Sequence, residues 1–440
     1  MQTRRQVLSL AASAIAAAGL AGTARAQSGA AGPEKVLRTW FKLVLELVRH
    51  TPTYTPPVAS RSFGYLGVTA YEAAATSGAG LISLTGQLNG FTSVPARETG
   101  AAYDEAHVMH GAMTFAVRTF FFNTGPTGQR SMDAMERKLG EMIAGDVPAD
   151  VAARSTAYGI AVAQAVIDWS LTDGGAVIEN MGFPMAYDLG TGPEKWVPTS
   201  VIVQQQMPLL PEWGSNRPFA MPDGGACPLP APIAYSEEPD SEFYKQAMEV
   251  VDVKKNLTPD QRTIARFWSD DPMLSPTPPG HWVYIALDLL DQENADAARS
   301  AEVLALLGIA VADGFIGCWH EKFVYDWIRP VSYIKRVIDP KWEPVLITPP
   351  FPEYPSGHST QSGAAIVVLE RLFGADFAFT DRTHEDDGIA PRDFPSFAAA
   401  ADEAALSRLY GGIHFREAIV RGVDQGRCIG AYAAALRTRG

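Results

Sequence analysis

The stretch TPPFPEYPSGHSTQ, residues 348–361, constrains the fold of this chain more than any other. Its prolines disfavour helical geometry at the residue before each of them, so the approach is extended. Gly357 permits a sharp turn, and the apolar run after Ser359 is typical of a helix. The turn Ser356-Gly357-His358 therefore lies at a helix N-terminus, where free N–H groups and the helix dipole favour an anion. A capped helix with a surface histidine is the alternative interpretation.

Apolar residues recur at three-and-four spacing along most of the chain, which predicts helices. The predicted helices before the middle of the chain are 36–49, 58–75, 101–122, 128–144 and 150–171. Those after it are 241–251, 258–268, 283–290, 295–328 and 414–437, together with the helix that follows Ser359. Strand-like alternation is rare, so the pattern favours a mostly helical protein with a large core.

The first 26 residues have the pattern of an export signal and are left out of the fold prediction. Arg4 and Arg5 precede the apolar run VLSLAASAIAAAGLAG, and Ala24-Arg25-Ala26 is a small-residue cleavage site. The paired arginines resemble the twin-arginine type, and a general secretory signal is the alternative. No other stretch is predicted to span a membrane. We expect a periplasmic or secreted protein after cleavage near Ala26.

The rest of the chain divides into three predicted regions. Residues 27–180 form an N-terminal helical region, and 181–239 form a long ordered loop region rich in proline, glycine and tryptophan. Residues 240–440 form a C-terminal helical bundle that carries the anion site. No internal repeat and no clear linker divides these regions.

Charge and cysteine content exclude several classes of protein. The 36 basic and 49 acidic residues give a formal net charge of −13, and removing the arginines of the signal makes the chain more acidic. This balance argues against nucleic acid or an anionic membrane surface as a partner. The cysteines Cys227, Cys318 and Cys428 are widely spaced, so no metal motif is visible. One disulfide is possible, but the spacing favours buried free thiols.

Two cations stand in an unusually apolar segment, HEKFVYDWIRP. Lys322 and Arg329 are seven residues apart, nearly two helical turns, so a helix that stops at Pro330 would point both to one side. Bulky apolar side chains surround them: Trp319, Phe323, Trp327 and Ile328. Such a setting is unfavourable for two cations unless an anion compensates their charge.

A third segment completes the set with another arginine and histidine. Ser407-Arg408 lies at a predicted helix end, Gly411-Gly412 forms a turn, and His414 opens the last helix. Taken singly, Arg408 would be a surface arginine and His414 a structural histidine. Taken together, the three segments bring cations and histidines to an anion-binding turn in a fixed order along the chain.

These three segments resemble the vanadium-dependent haloperoxidases and the related acid phosphatases of the type 2 phosphatidic acid phosphatase superfamily. The likeness to the chloroperoxidase branch also includes TPPFPEYPSGH and the pair FWSDDP and TPPGHW. The likeness covers residues 260–430. The earlier part of the chain resembles the family only in being helical. The resemblance implies an all-α fold of two packed helical bundles with a long Pro/Gly-rich loop region, as in vanadium chloroperoxidase.

The resemblance also assigns roles to residues. The groups that hold the oxygens of vanadate, or of competing phosphate, would be Lys322, Arg329, Ser356, Gly357 and Arg408. His414 would bind vanadium or attack phosphorus, His358 would be the acid–base group, and Lys322 would polarise bound peroxide. The halide pocket would contain Trp319 and Phe351, and Asp271 would brace Arg329.

The chain departs from the family pattern beside the last histidine. An aspartate usually stands four residues after that histidine, but this chain has Ala418 there and Glu417 one position earlier. Glu417 is still within reach of His414 on a helix, so it is the candidate to orient the imidazole; the alternatives are a His414 without such a partner, or one oriented by a backbone carbonyl or another residue. Ser359, where haloperoxidases commonly have alanine, favours the phosphatases.

Three functions therefore remain open from the sequence. The first is a haloperoxidase that uses hydrogen peroxide and a halide, and the second is an acid phosphatase with a phosphohistidine intermediate that uses a phosphate ester. The third is an oxyanion-binding protein without turnover. Neither the halide, the organic acceptor nor the oligomeric state follows from the residues.

Two further features carry weaker hypotheses. The acidic run DRTHEDD, residues 381–387, offers ligands for a divalent cation, although a solvated loop is the favoured interpretation. His281 in PPGHW is interpreted as a structural or outer-sphere group.

Overall fold

Helices supply most of the regular structure in the computed structural model, which describes residues 30–78, 80–200, 202 and 205–440. The predicted export segment, 1–26, lies outside the described residues. Residues 31–440 form one compact unit. The predicted all-α fold class is confirmed, since the strands are limited to one short pair within the described part of the chain.

The helices of the first half are α1 Pro33–Arg49, α2 Pro56–Ala75, α3 Glu105–Phe120, α4 Pro126–Ile143, α5 Ala149–Ser170 and α6 Gly175–Ile178. The helices of the second half are α7 Glu242–Lys255, α8 Pro259–Phe267, α9 Thr277–Gln292, α10 Ala297–Tyr325, α11 Pro330–Val337, α12 Gly357–Phe373, α13 Phe397–Tyr410 and α14 Arg416–Ala434. Strands β1 Phe379–Asp381 and β2 Arg392–Phe394 pair antiparallel, with Phe379 opposite Phe394. A 3-10 turn spans Pro211–Ser215.

Helix starts lie where proline fits the first turn. Pro33 and Pro56 begin α1 and α2 ahead of the predicted starts, because the first helical N–H groups have no intrahelical partner to lose. For the same reason, α9 begins at Thr277, ahead of the predicted start at residue 283, with Pro278 and Pro279 in its first turn. The predicted last helix opens later than expected, since His414 precedes α14 instead of lying within it.

Helix α10 is the centre of the core. It packs against α2 on one side and against α12 and α14 on others. Glycines permit the close approach to α2: a Cβ on Gly67 would lie 2.7 Å from the carbonyl oxygen of Leu304. By length and composition α10 is apolar enough to cross a membrane, but its most apolar window is entirely buried in this fold. That burial is what the core helix of a globular unit shows.

The loop between α6 and α7 is attached to the helices by a buried carboxylate. Asp313 of α10 accepts hydrogen bonds from the backbone N–H groups of Phe219, Ala220 and Met221 at 2.6–2.9 Å. Burial raises the pKa of Asp313 to about 6, and the three donors oppose that rise. These hydrogen bonds hold the loop against the helical core, although the loop itself contains little helix.

A disulfide closes the same loop onto the last helix. Cys227 and Cys428 are bonded across 201 positions of sequence, whereas Cys318 is a buried free thiol. The expectation of buried free thiols was therefore wrong for two of the three cysteines. Their spacing along the chain carries no information about which helix the loop lies against.

Helix α10 ends earlier than predicted. Tyr325 is its last residue, and Asp326 has a left-handed backbone with φ of 50°. Arg329 is the N-cap of α11. Lys322 and Arg329 therefore do not share one helix, and the predicted helical register between them was wrong. They meet because the break after α10 turns the chain back toward the turn at Ser356.

Candidate oxyanion site

Four elements bring the predicted site residues together in the interior. Lys322 lies on the last turn of α10 and Arg329 at the start of α11. Residues 356–358 open α12, Arg408 lies in the last turn of α13, and His414 precedes α14. Within this set only Gly357 and His358 are partly exposed. The predicted set thus forms one buried cluster that opens at the turn.

Lys322 holds the segment that leads into the turn. Its Nζ donates to the carbonyl oxygens of Pro352, Glu353 and Pro355 at 2.8, 3.0 and 2.5 Å. All three ammonium protons are used in this way. Burial lowers the pKa of Lys322 to about 7, and neighbouring Arg329 contributes to the fall. Its predicted contact with peroxide remains a prediction.

Arg329 connects two segments and still has a free donor. Its Nε donates to the Phe351 carbonyl at 2.9 Å, and its Nη1 donates to the Ile413 carbonyl at 2.8 Å. Nη1 also lies 3.2 Å from His414 Nε2. Burial lowers the pKa of Arg329 to about 9. Among the described residues, Nη2 has no hydrogen-bond partner although it is buried.

The PSGH turn is fixed as the start of α12. Ser356 is its N-cap, and its Oγ accepts from Ser359 N–H at 3.4 Å. The Ser356 N–H donates to the Ala418 carbonyl of α14 at 3.0 Å. Over Gly357 there is open space, since a Cβ there would meet only the Trp319 ring, at 3.8 Å. Because glycine has no side chain, a ligand can occupy this space. The Gly357 N–H at the helix N-terminus can then donate to an anion.

Arg408 has a different carboxylate partner from the one predicted. Its Nη1 donates to the Trp268 carbonyl at 2.7 Å, and its Nε is buried without a partner in the described chain. Burial lowers the pKa of Arg408 to about 10, while the charges of Asp271 and Asp270 oppose the fall. The prediction that Asp271 braces Arg329 is corrected: Asp271 follows α8, and α8 packs against α13, which carries Arg408.

Glu353 orients His414. The His414 Nδ1–H donates to Glu353 Oε1 at 2.9 Å, and the same oxygen accepts from Phe415 N–H at 2.9 Å. Nε2 therefore carries the lone pair and lies beside Arg329. Burial and the cations Arg329 and Lys322 lower the pKa of His414 well below its usual value. The imidazole is neutral at neutral pH, as a ligand nitrogen must be.

The predicted role of Glu417 was wrong. Its Oε2 accepts from the N–H of Ile233, at 2.9 Å, in the long loop. Glu353 was missed because it lies 61 positions before His414, far outside one helical turn. One signal pointed to it: Glu353 is the single acidic residue of the Pro-rich block TPPFPEYPSGH, and a buried carboxylate requires a partner.

His358 lies at the open end of the cluster. Burial and the charge of Arg408 lower its pKa well below the ordinary histidine value. Its Nε2 is buried and has no partner within the described residues. A neutral imidazole with an unused nitrogen at an anion-binding turn is suited to proton transfer.

Two aromatic rings line the cluster where the halide pocket was predicted. Trp319 and Phe351 have ring centroids 4.9 Å apart, and Trp319 Nε1 donates to the Leu209 carbonyl at 3.1 Å. Lys322 Nζ lies 5.2 Å and Arg329 Cζ 5.1 Å from the Phe351 centroid. The halide role itself remains a prediction, but the Phe351 ring lies beside both cations.

The cluster fits a tetrahedral oxyanion. Unpaired nitrogens on Arg329, Arg408 and His358 are buried together with the open space over Gly357. Buried polar atoms without partners are rare in folded proteins, and here most of them are donors at one location. The fold and the site are those of a helical protein whose buried donors and neutral histidine Nε2 are suited to an oxyanion.

Comparisons with known proteins agree. A family model described as the VCPO second helical-bundle domain matches residues 302–341 and 337–439. The structure of a bacterial vanadium-dependent iodoperoxidase matches with a TM-score of 0.84 and 37% identity, over 92% of this chain and 97% of that one. The chain belongs to the vanadium-dependent haloperoxidase family.

Two further proteins are similar to this chain, one in its fold and the other in part of its sequence. The holo form of a bacterial vanadium-dependent chloroperoxidase matches with a TM-score of 0.67 and 16% identity, over 93% of each chain. The vanadium chloroperoxidase of Curvularia inaequalis is 33% identical over 120 residues, which are 23% of this chain. The match spans only 19% of that curated relative.

Proposed function

We propose that this protein is a haloperoxidase that uses hydrogen peroxide to oxidise a halide to hypohalous acid. The observation that carries the proposal is the His414 Nε2 lone pair, held by Glu353 on the other ring nitrogen and lying 3.2 Å from Arg329. The 37% identical relative is described as an iodoperoxidase, so iodide is the halide we propose first. The same relative favours oxidation over the phosphatase alternative.

The cofactor is vanadate, and the chain has residues to hold it. His414 Nε2 would be the ligand, and the free nitrogens of Arg329 and Arg408 would donate to oxygens. Donors of the Ser356-Gly357 turn would face the same anion. When bound, vanadate supplies the activation of hydrogen peroxide toward attack by a halide. Inorganic phosphate would compete for the same donors.

The remaining chemistry is proton transfer and positioning by this chain. Because the pKa of His358 is lowered, its Nε2 is free to accept a proton from incoming hydrogen peroxide. The same nitrogen would later return that proton, and the overall oxidation of one halide by one hydrogen peroxide consumes a further proton from solution and yields hypohalous acid and water. Lys322 keeps the 352–355 segment in place and supplies positive charge beside it once an anion is present.

A vanadium assay combined with two activity assays tests the proposal. Purified protein reconstituted with vanadate is expected to hold about one vanadium per chain and to oxidise iodide with hydrogen peroxide, measured as triiodide. Bromide and chloride are run beside it, as is phosphate release from a simple ester. Ester hydrolysis without peroxide-dependent iodide oxidation would support the phosphatase and contradict the proposal.

Two histidine variants separate binding from turnover. His414→Ala is expected to abolish stable vanadate binding, since it removes the ligand atom. His358→Ala is expected to retain binding and lose iodide oxidation, since that side chain moves protons. Equal loss of binding in both variants would contradict these roles.

We also propose that the protein works outside the cytoplasm. The arginine pair at positions 4 and 5 motivates this proposal, and the Cys227–Cys428 disulfide supports an oxidising compartment. In a bacterial host, cell fractionation is expected to recover the enzyme from the periplasm or medium. Replacing Arg4 and Arg5 together by lysine is expected to retain it in the cytoplasm, and unchanged export would argue for a general secretory signal.

A further inference from the structure

A second cluster of ionisable groups lies behind Trp268, outside the oxyanion site. Asp270 follows α8, His281 lies in α9, and His384 lies in the turn after β1. All three side chains are buried, with exposed fractions of 1%, 0% and 6%. One ligand atom from each lies within 4.8 Å of the other two. The proposed haloperoxidase reaction uses none of these residues.

The inner distances of this cluster lie within the range of hydrogen bonds and close to the spacing of ligand atoms around one small ion. His281 Nδ1 lies 3.0 Å from both carboxylate oxygens of Asp270, and His384 Nε2 lies 3.2 Å from Asp270 Oδ1. Charge-assisted N–H···O bonds are shorter, about 2.7–2.9 Å. Two ligand atoms that each lie about 2.0–2.1 Å from one tetrahedral ion are separated by about 3.3–3.4 Å, so the atoms of this cluster need to move apart by only a few tenths of an ångström to hold one.

The outer distances, by contrast, are those of ordinary charge-assisted hydrogen bonds. His281 Nε2 lies 2.7 Å from Asp381 Oδ2, and His384 Nδ1 lies 2.9 Å from Asp387 Oδ2. Each histidine thus has a carboxylate on the nitrogen that faces away from Asp270. A metal-binding histidine characteristically donates its second N–H to such a carboxylate, which fixes the tautomer.

The charges around the cluster require two positive charges at its centre. Three aspartates surround the two histidines, and Arg49 pairs with Asp387 at 2.9 Å on the outer side. Two protons or one divalent cation would supply these charges equally. The arrangement of the ligand atoms favours the cation, because atoms from three separate segments converge on one place and a carboxylate holds the outer nitrogen of each histidine.

We propose that Asp270, His281 Nδ1 and His384 Nε2 bind a divalent cation of the zinc class, with Asp381 and Asp387 holding the outer nitrogens. Nitrogen and oxygen donors from two histidines and a carboxylate suit zinc. The burial of all three side chains favours a structural site, in which the second carboxylate oxygen of Asp270, also 3.0 Å from His281 Nδ1, is available as a fourth ligand atom. The proposal is independent of the proposed halide oxidation.

Such a cation would tie three separate segments together next to the oxyanion site. The His281 ring stacks on Trp268 with centroids 4.3 Å apart, and the Trp268 carbonyl accepts from Arg408 Nη1 at 2.7 Å. Loss of the cation is therefore expected to loosen the 381–387 turn and to disturb Arg408. Reduced vanadate affinity would be a secondary consequence.

Metal analysis of the whole protein tests the site. Protein from zinc-supplemented cells, purified without chelator, is expected to contain about one zinc per chain in addition to vanadium. His384→Ala is expected to lose the zinc, whereas His50→Ala is the matched control, because His50 is an exposed histidine that pairs with Glu46. Zinc retained at full occupancy by folded His384→Ala would overturn the ligand assignment.

A measurement on the unmodified protein covers the case in which His384→Ala does not fold. Prolonged incubation with dipicolinate near the start of thermal unfolding is expected to lower Tm by several degrees. Added Zn²⁺ is expected to restore Tm, and added Mg²⁺ is not. Absence of stoichiometric zinc together with a Tm unaffected by chelator and zinc would overturn the proposal, leaving a protonated Asp–His–Asp network.

Discussion

The lone pair of His414 depends on one carboxylate. Glu353 Oε1 accepts both the Nδ1–H of His414 and the backbone N–H of Phe415, so it sets the tautomer and the position of the ring. Glu353 is itself on the segment that Lys322 holds. Lys322 therefore positions Glu353, and Glu353 positions His414. Replacing Glu353 is expected to disturb the His414 ring most.

Glu353→Ala is expected to lower vanadate affinity by roughly 10–100-fold, because the loss of such a hydrogen-bond partner typically has that effect on a metal-binding histidine. Glu353→Gln is expected to retain most of the affinity, since its amide oxygen still accepts from Nδ1–H. The control is Glu417→Ala, which removes a bond to Ile233 N–H and leaves His414 oriented. Titration with vanadate measures all three, and a larger loss in Glu417→Ala would contradict the assignment.

Lys322 makes anion binding depend on pH. Its pKa of about 7 in the anion-free protein means that it is protonated below pH 7 and becomes neutral as the pH rises above it. Because Lys322 is proposed to act on vanadate in its charged form, binding above pH 7 is expected to take up one proton, which weakens affinity by up to about tenfold per pH unit. Because vanadate itself titrates, the measurement is the difference in slope between wild type and Lys322→Met over pH 7–9. Equal slopes would show that Lys322 remains charged.

At the scale of elements, the long loop is attached to the helices by a few specific links. Asp313 binds three consecutive backbone N–H groups of the loop, Trp319 Nε1 binds the Leu209 carbonyl, and Cys227 is bonded to Cys428 of α14. The loop lies against α10 and α14, which flank the oxyanion site. Stability of the loop is therefore linked to stability of the site.

Breaking the disulfide is expected to destabilise the protein by about 2–4 kcal/mol, because the bond closes a very long loop in the unfolded chain. Urea unfolding of the oxidised protein, of the reduced protein and of Cys227→Ala measures the difference. Cys318→Ala is the control, since Cys318 is the buried free thiol and its removal leaves the disulfide intact. Equal stability with and without the disulfide would mean that the hydrogen bonds from Asp313 suffice.

At the scale of the whole molecule, a basic site lies inside an acidic protein. The formal net charge is −13, while the oxyanion site gathers one lysine and two arginines in the interior. The long-range field therefore repels an incoming halide, and only the local field at the turn attracts it.

For this reason, kcat/KM for iodide is expected to rise about two- to threefold as ionic strength increases from 10 to 150 mM with potassium nitrate. The Debye length falls from roughly 30 to 8 Å over that range, so repulsion by surface charges is screened before the site is reached. Hydrogen peroxide is the neutral control, and its kcat/KM is expected to remain constant. A fall for iodide would show that local attraction at the mouth dominates.

The sequence by itself determined the helical class and singled out the residues that lie together in the candidate oxyanion site. Helical periodicity and the PSGH turn are local properties, so they were visible before folding, and Lys322, Arg329, Arg408 and His414 followed from their order along the chain. The apolar surroundings of the first two cations showed that an anion was required. The resemblance to a known family supplied the roles.

Only the tertiary structure decided which groups are partners. Glu353 pairs with His414 in place of Glu417, Asp271 acts on Arg408, and Cys227 finds Cys428, because folding determines which distant side chains come within bonding distance. The cluster around His281 likewise joins segments more than 100 positions apart. Reasoning from the sequence considers partners about one helical turn away. It therefore cannot decide whether the partner of His414 is a nearby carboxylate or one that folding places there from a distant segment.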